Sequence, residues 1–187
     1  MTEEPDLDAG PFSSWLAGMQ GALRGERASD VPCDGCTACC TSSQFVHIEP
    51  DETETLAHIP EALLFPAPLA PLGHVLLGYD ERGHCPMLVD DRCSIYEHRP
   101  RTCRTYDCRI FPATGIAVDA HDPDKDAIAR RARRWRFSFP SDDDRSEYEA
   151  VRSAASSPLD DDQLGPKPSA TQRAVVAIEI QDRFRRS

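Results

Sequence analysis

At 187 residues the chain has the length of one domain with a modest appendage, and 40% apolar and 7% aromatic residues beside sixteen prolines and ten glycines imply a small core in a loop-rich fold. A formal charge of 21 − 32 = −11 speaks against a nucleic-acid partner, because gripping phosphate takes a basic field. No apolar run approaches the roughly 18 residues of a membrane span, and the first ten residues hold Glu3, Glu4, Asp6 and Asp8 with no Lys or Arg, so the expectation is a cytoplasmic protein with no membrane contact.

Residues 1–30 read as an acidic lead-in with one short helix, capped by Ser13 or Ser14 and carrying Trp15, Leu16, Met19 and Leu23, with Gly18 and Gly21 weakening it. Residues 31–110 contain every cysteine and are the expected functional domain. Gln44 to Ile48 reads as a strand, and Pro50 opens a helix leading to Leu56 and Ile59. Pro60, Pro66, Pro68 and Pro71 then force a loop. His74 to Tyr79 reads as a strand that turns at Asp80-Glu81-Arg82-Gly83 into a hairpin with Cys85 to Val89, and Asp90-Asp91 makes a second turn before Cys93-Ser94-Ile95-Tyr96.

Residues 111–187 read as a helical extension. One helix starts at Asp122-Pro123 with Ile128, Ala132 and Trp135 on a shared face; Ser141-x-x-Asp144 caps a second with Tyr148, Val151 and Ala155. A loop at 156–168 precedes Ser169-x-x-Gln172, which caps a last helix with Val176, Ile180 and Phe184 spaced by four. The basic stretch Lys125, Arg130, Arg131, Arg133, Arg134 and Arg136 reads as a solvated face with nearby counter-charges. The expected class is α+β: a small cysteine-rich metal-binding domain of short strands and loops with a helical C-terminal extension.

Eight cysteines in a reducing cytosol point to metal thiolates rather than disulfides. The first cluster, Cys33-Asp34-Gly35-Cys36-Thr37-Ala38-Cys39-Cys40, repeats a C-x2-C spacing that lets a tight turn, relieved at Gly35, aim two sulfurs at one centre. Ferredoxin-type runs use that repetition to place three thiolates on one cluster. Cys33, Cys36 and Cys39 are thus the expected arm. In an extended chain the adjacent Cys40 points the other way, toward a second metal, a redox partner or the core.

The second cluster is Cys85, Cys93, Cys103 and Cys108, and it is expected to close on the first. Cys85, fixed by Pro86, is the first choice for the missing ligand and Cys103 the second. Arg92, Arg99, Arg101, Arg104 and Arg109 crowd this region and suit the negative charge of a thiolate centre. His47, His58, His74, His84, His98 and His121 are not spaced as paired ligands; His84 and His98 alone stand beside the cysteines. The metal, zinc or an iron–sulfur cluster, is left open by the residues, and the partner is an undefined protein or small molecule.

With these residues in hand, the chain resembles the YkgJ-type cysteine-cluster family, a zinc- or iron-chelating domain named for CxxCxxCC. The resemblance covers roughly residues 31–110 and rests on Cys33-x2-Cys36-x2-Cys39-Cys40, Cys85-Pro86-Met87-Leu88, Cys93-Ser94-Ile95-Tyr96-Glu97-His98-Arg99-Pro100 and Cys103-Arg104-Thr105-Tyr106-Asp107-Cys108. It implies that all eight cysteines are the candidate ligand set, with Tyr96, Arg99, Pro100 and Arg104 on signature positions. Met87 and Asp107 depart from the family pattern, where an aromatic and a proline are more usual. A relative, the flagellin lysine N-methylase, implies a further possibility: an S-adenosylmethionine-dependent protein methylase with an iron–sulfur centre. A zinc-structured interaction module is the other alternative.

Overall fold

A computed structural model describes residues 4–29, 31, 33, 35–68, 70–118, 122–157 and 168–186. Its architecture is α+β, as expected, with short strands in small sheets and the long helices toward the C-terminus. The chain gathers into two compact units: Met1–Arg27 with Asp107–Pro123 and Ile128–Ser187, and Ala28–Tyr106 with Asp124–Ala127. His121 and residues 158–167 of the expected loop lie outside the described residues.

In the first unit, strand β1 (Leu7–Pro11) leads into helix α1 (Phe12–Leu23), which buries Phe12, Trp15, Leu16 and Met19. The expected helix is there, but its start is satisfied differently: Pro11 is the cap residue, and the Ser13 N–H donates to the Asp144 carboxylate at 2.8 Å. Gly21 suits its place because the Arg27 side chain lies across it, 2.9 Å from where a Cβ would stand. The residues 107–187 add helices α4 (Ile110–Thr114), α6 (Asp142–Ser156) and α7 (Ala170–Arg186), the last two separated from α4 by α5 (Asp126–Arg134) and strand β7 (Trp135–Ser138). Helix α7 packs on α6 and α4, and α1 packs on α6.

Trp135 was expected on a helix face. Instead α5 ends at Arg134 and Trp135 opens β7, which pairs in parallel with β1 through a register shift between Asp8 and Gly10. Both readings bury Trp135 beside Ile128 and Ala132, so apolar spacing alone did not separate them. Phe12 meets Trp15, Phe137, Phe139 and Tyr148 at ring-centroid distances of 5.1 to 6.2 Å. The counter-charges of the basic stretch come from the acidic N-terminus: Arg134 pairs with Glu4, and Arg136 with Asp6 at 2.9 Å.

The Ser141 capping box forms as read, Ser141 accepting from the Asp144 N–H while the Asp144 carboxylate accepts from the Ser141 N–H. Ser141→Ala should therefore cost about 1 kcal/mol. Thermal unfolding followed by tryptophan fluorescence reads this directly, since Trp15 and Trp135, the two tryptophans of the chain, both lie in this unit. An unchanged melting temperature would contradict the cap.

The second unit holds a three-stranded antiparallel sheet in the order β2-β4-β3, from β2 (Val46–Ile48), β3 (Leu64–Pro66) and β4 (Val75–Leu77). The strand expected at His74 to Tyr79 is thus β4, but it does not form a hairpin with Cys85–Val89. It takes the centre of the sheet, with Leu77 opposite both Val46 and Leu64. Two partners bury an apolar strand better than one edge contact. The expected helix follows β2 as α2 (Thr53–Ala57), but it starts after Glu52 and not at Pro50, and it ends before Ile59.

Strands β5 (Leu88–Val89) and β6 (Arg92–Cys93) form their own small hairpin, turned at Asp90 and Asp91 with φ of 48° and 57°. Left-handed residues at both turn positions match the twist of a two-residue hairpin. A single apolar cluster of Val46, Ile48, Ile59, Leu77, Met87 and Ile95 forms the core, and Cys85, Cys93 and Cys103 pack directly against it.

Candidate metal centre

The first cysteine cluster is not one extended run. Cys36 N–H donates to the Cys33 carbonyl at 2.8 Å, closing a turn in which Gly35 takes φ 68°, a conformation open to glycine at little cost. The chain then coils into a helical turn: Thr41 N–H donates to the Thr37 carbonyl at 3.0 Å, and the Ser42 hydroxyl donates to the Ala38 carbonyl. On a helical turn, residues four apart share a face. The turn carries Cys40 to the face that Cys33 and Cys36 also line.

A cavity of about 210 Å³ opens on this face, lined by Cys33, Cys36, Cys40, Cys85, Cys93 and Cys103. Leu77, Met87 and Ile95 of the core form its apolar wall, and Arg92, Arg99 and Tyr96 also border it. The two clusters therefore meet, as expected. The lining differs from the expected arm at one position: Cys40, expected to point away, lines the cavity, while Cys39 is half-buried and is not among its lining residues. Cys108 belongs to the other unit, buried, with its sulfur accepting from the Trp135 indole N–H at 3.1 Å.

Backbone and side-chain contacts hold the thiols in place. The Cys85 N–H donates to the Cys40 carbonyl at 2.7 Å, joining the clusters, and the Leu88 N–H donates to the Cys85 carbonyl at 2.9 Å. The Met87 carbonyl accepts from both the N–H and the hydroxyl of Ser94, which fixes the turn before and after Cys93. Helix α3 (Arg101–Thr105) carries Cys103. Its start is met by Glu52, a buried residue whose carboxylate accepts from the Arg101 N–H, and Thr102 donates to the His47 carbonyl at 2.7 Å. Glu52 was missed by sequence reasoning.

Of the five arginines near the second cluster, Arg92 and Arg99 border the cavity. Arg99 lies 3.7 Å over the Tyr96 ring and donates to the Tyr96 carbonyl. Arg101 instead bridges Glu49 and Asp51, at 2.7 and 2.9 Å, and Arg104 stands 3.9 Å from Glu52. Arg109, in the first unit, pairs with Asp107. No described histidine lines the cavity: His74 faces His47 at 2.9 Å, His98 stacks on His58 with centroids 3.7 Å apart, and the His84 N–H donates to Asp80.

Burial first, and then the neighbouring Cys85, Cys93, Cys33 and Cys36, together push the Cys40 thiol up to about 12. Cys103 is likewise pushed up to about 12, by burial first and then by Cys40, Cys85 and Cys93, with Arg99 opposing. Cys85 is also raised, by burial first, against the Met87 N–H and with Cys93. Crowded, half-desolvated thiols resist ionising on their own, whereas a bound cation stabilises the thiolates together.

The donor set fits zinc or iron, which thiolates favour, although among the described residues no three His, Cys, Asp or Glu side chains are already closed to the spacing of a single ion. Because protons compete for the same sulfurs, apparent metal affinity should rise with pH. With Cys40 and Cys103 raised from an ordinary value of 9.0 to about 12, that rise should continue through pH 10. Competition against a chromophoric chelator from pH 6 to 10 checks this, and a plateau near pH 9 would contradict it.

Among the described residues no helix is long and apolar enough to cross a membrane. No curated protein and no solved structure matches the chain. A family model described as "CxxCxxCC: Putative zinc- or iron-chelating domain" matches residues 32–129, more than half of the sequence and every cysteine in it. The chain belongs to this CxxCxxCC family of metal-binding cysteine-cluster domains.

Proposed function

We propose that the thiol cavity is an iron–sulfur site in a cytoplasmic protein. The observation that carries this reading is the cavity's size combined with its lining. One water needs about 10–15 Å³ of such cavity space, so a single ion, smaller than a water, would occupy a minor part of the roughly 210 Å³ that six thiols face. A polyatomic centre held only by thiolates suits that space.

Cys40, Cys85, Cys93 and Cys103 are the thiols best placed to hold it, because the core supports three of them and the Cys85–Cys40 backbone hydrogen bond carries the fourth. The chemistry such a cluster supplies when bound is one-electron transfer, at a potential set by charge, burial and hydrogen bonding around the sulfurs. Four thiolates on a dipositive core leave two negative charges, and the guanidinium groups of Arg92 and Arg99 stand at the cavity to offset them. Leu77, Met87 and Ile95 keep water from the inner wall.

Anaerobic purification tests the reading. Brown protein absorbing near ~400 nm, with iron and acid-labile sulfide in equal amounts, is the expected result. Colourless protein loaded with zinc would overturn the iron–sulfur assignment and leave a zinc-structured domain.

A further inference from the structure

Six thiols face a cavity in which one cuboidal cluster or one tetrahedral ion takes four. The surplus is not distributed at random. Cys85, Cys93 and Cys103 pack on the apolar core, and Cys40 is bound to Cys85 through the backbone. All six pairings among these four sulfurs are close enough for electrostatic influence. Cys33 and Cys36 come from a different piece of backbone, the glycine-relieved turn ahead of the helical turn, and line the same cavity.

We propose that the cavity is two metal sites in one: an inner set of Cys40, Cys85, Cys93 and Cys103 that keeps the resident centre, and an outer dithiol, Cys33 and Cys36, that takes and releases a second thiophilic ion. This rests on the reading of the cavity as the chelating site. A C-x2-C turn presents two sulfurs to one ion about 2.3 Å from each. Two protein ligands leave the remaining positions to solvent or to an incoming ligand, which is the property of an exchangeable site rather than a structural one. Taking up Zn²⁺ there displaces the two thiol protons to solvent, with no change of oxidation state.

Cys40 links the outer pair to the inner set, since its neighbours include sulfurs of both groups. The chemical class it accepts is a soft or borderline ion such as Zn²⁺, Fe²⁺ or Cu⁺.

Two measurements on the full-length protein test this. In wild-type holoprotein, brief alkylation followed by peptide mapping should label Cys33 and Cys36 and spare Cys40, Cys85, Cys93 and Cys103. Anaerobic dialysis against Zn²⁺ should then add one zinc per chain that a mild chelator removes. The doubly substituted Cys33→Ser, Cys36→Ser protein should lose that added zinc and keep its resident metal content and spectrum. Loss of resident metal in this variant would overturn the division into two sites, as would protection of Cys33 and Cys36 or the failure of wild-type protein to take the added ion. Wild-type protein purified with no resident metal would instead sink the underlying reading of the cavity, and the division with it.

Discussion

Removing the metal should abolish hydrogen-exchange protection across residues 28–106. The core of this unit is six apolar side chains, with three cysteines completing its surface toward the cavity. A domain of this size has little stability to spare, and a structural metal site contributes on the order of 10 kcal/mol of apparent binding free energy, as much as the whole stability of a typical domain. Cys40→Ser should reproduce the effect of chelation, since it removes a sulfur that bridges the clusters, whereas Cys39→Ser should leave protection and metal content as they are. Protection that survives full metal removal would mean that the apolar cluster holds the fold unaided.

Asp107→Asn should destabilise the helical unit by about 3 to 5 kcal/mol, the usual cost of breaking a buried ion pair from one side. Asp107 and Arg109 are both buried and lie 2.9 Å apart, and the Asp107 carboxylate also accepts from the Trp15 indole N–H at 2.8 Å and from the Arg109 backbone N–H. Neutralising the acid leaves the buried guanidinium without its carboxylate, with the Ala9 carbonyl at 3.4 Å and the Trp135 ring still beside it. Adding Arg109→Met should recover part of the loss, because the buried charge then goes as well. Tryptophan fluorescence during urea unfolding reads both variants; a midpoint within experimental error of wild type for Asp107→Asn would show that the pair contributes nothing.

This pair also accounts for a departure noticed in the sequence. Asp107, one of the two departures from the pattern the chain resembles, serves the helical unit, and Cys108 goes with it toward Trp135. The other departure, Met87, is a buried core residue on the cavity wall, where a flexible side chain fills the space.

Local chemistry was legible where it was self-contained. The Ser141 and Ser169 capping boxes, the α1 apolar face and the Asp80–Gly83 turn were all present in residue types and spacings. What escaped depended on partners far along the chain. Strands β1 and β7 are too short to declare themselves and exist through each other, 128 positions apart at Leu7 and Trp135. Strand β4 takes two partners from a segment that offered an obvious neighbour downstream. The choice between Cys39 and Cys40 turned on whether the backbone at Thr37–Thr41 is extended or helical, and a run of small and polar residues does not reveal that. Glu52 capping the helix of Cys103 spans 49 positions and leaves no local trace.

The central claim, that this protein binds its metal through cysteine sulfur alone, is tested most directly by X-ray absorption at the metal edge of protein purified without added metal. The account predicts a first shell of sulfur only, at about 2.3 Å, lost in Cys40→Ser. A first shell containing imidazole nitrogen or carboxylate oxygen would contradict it.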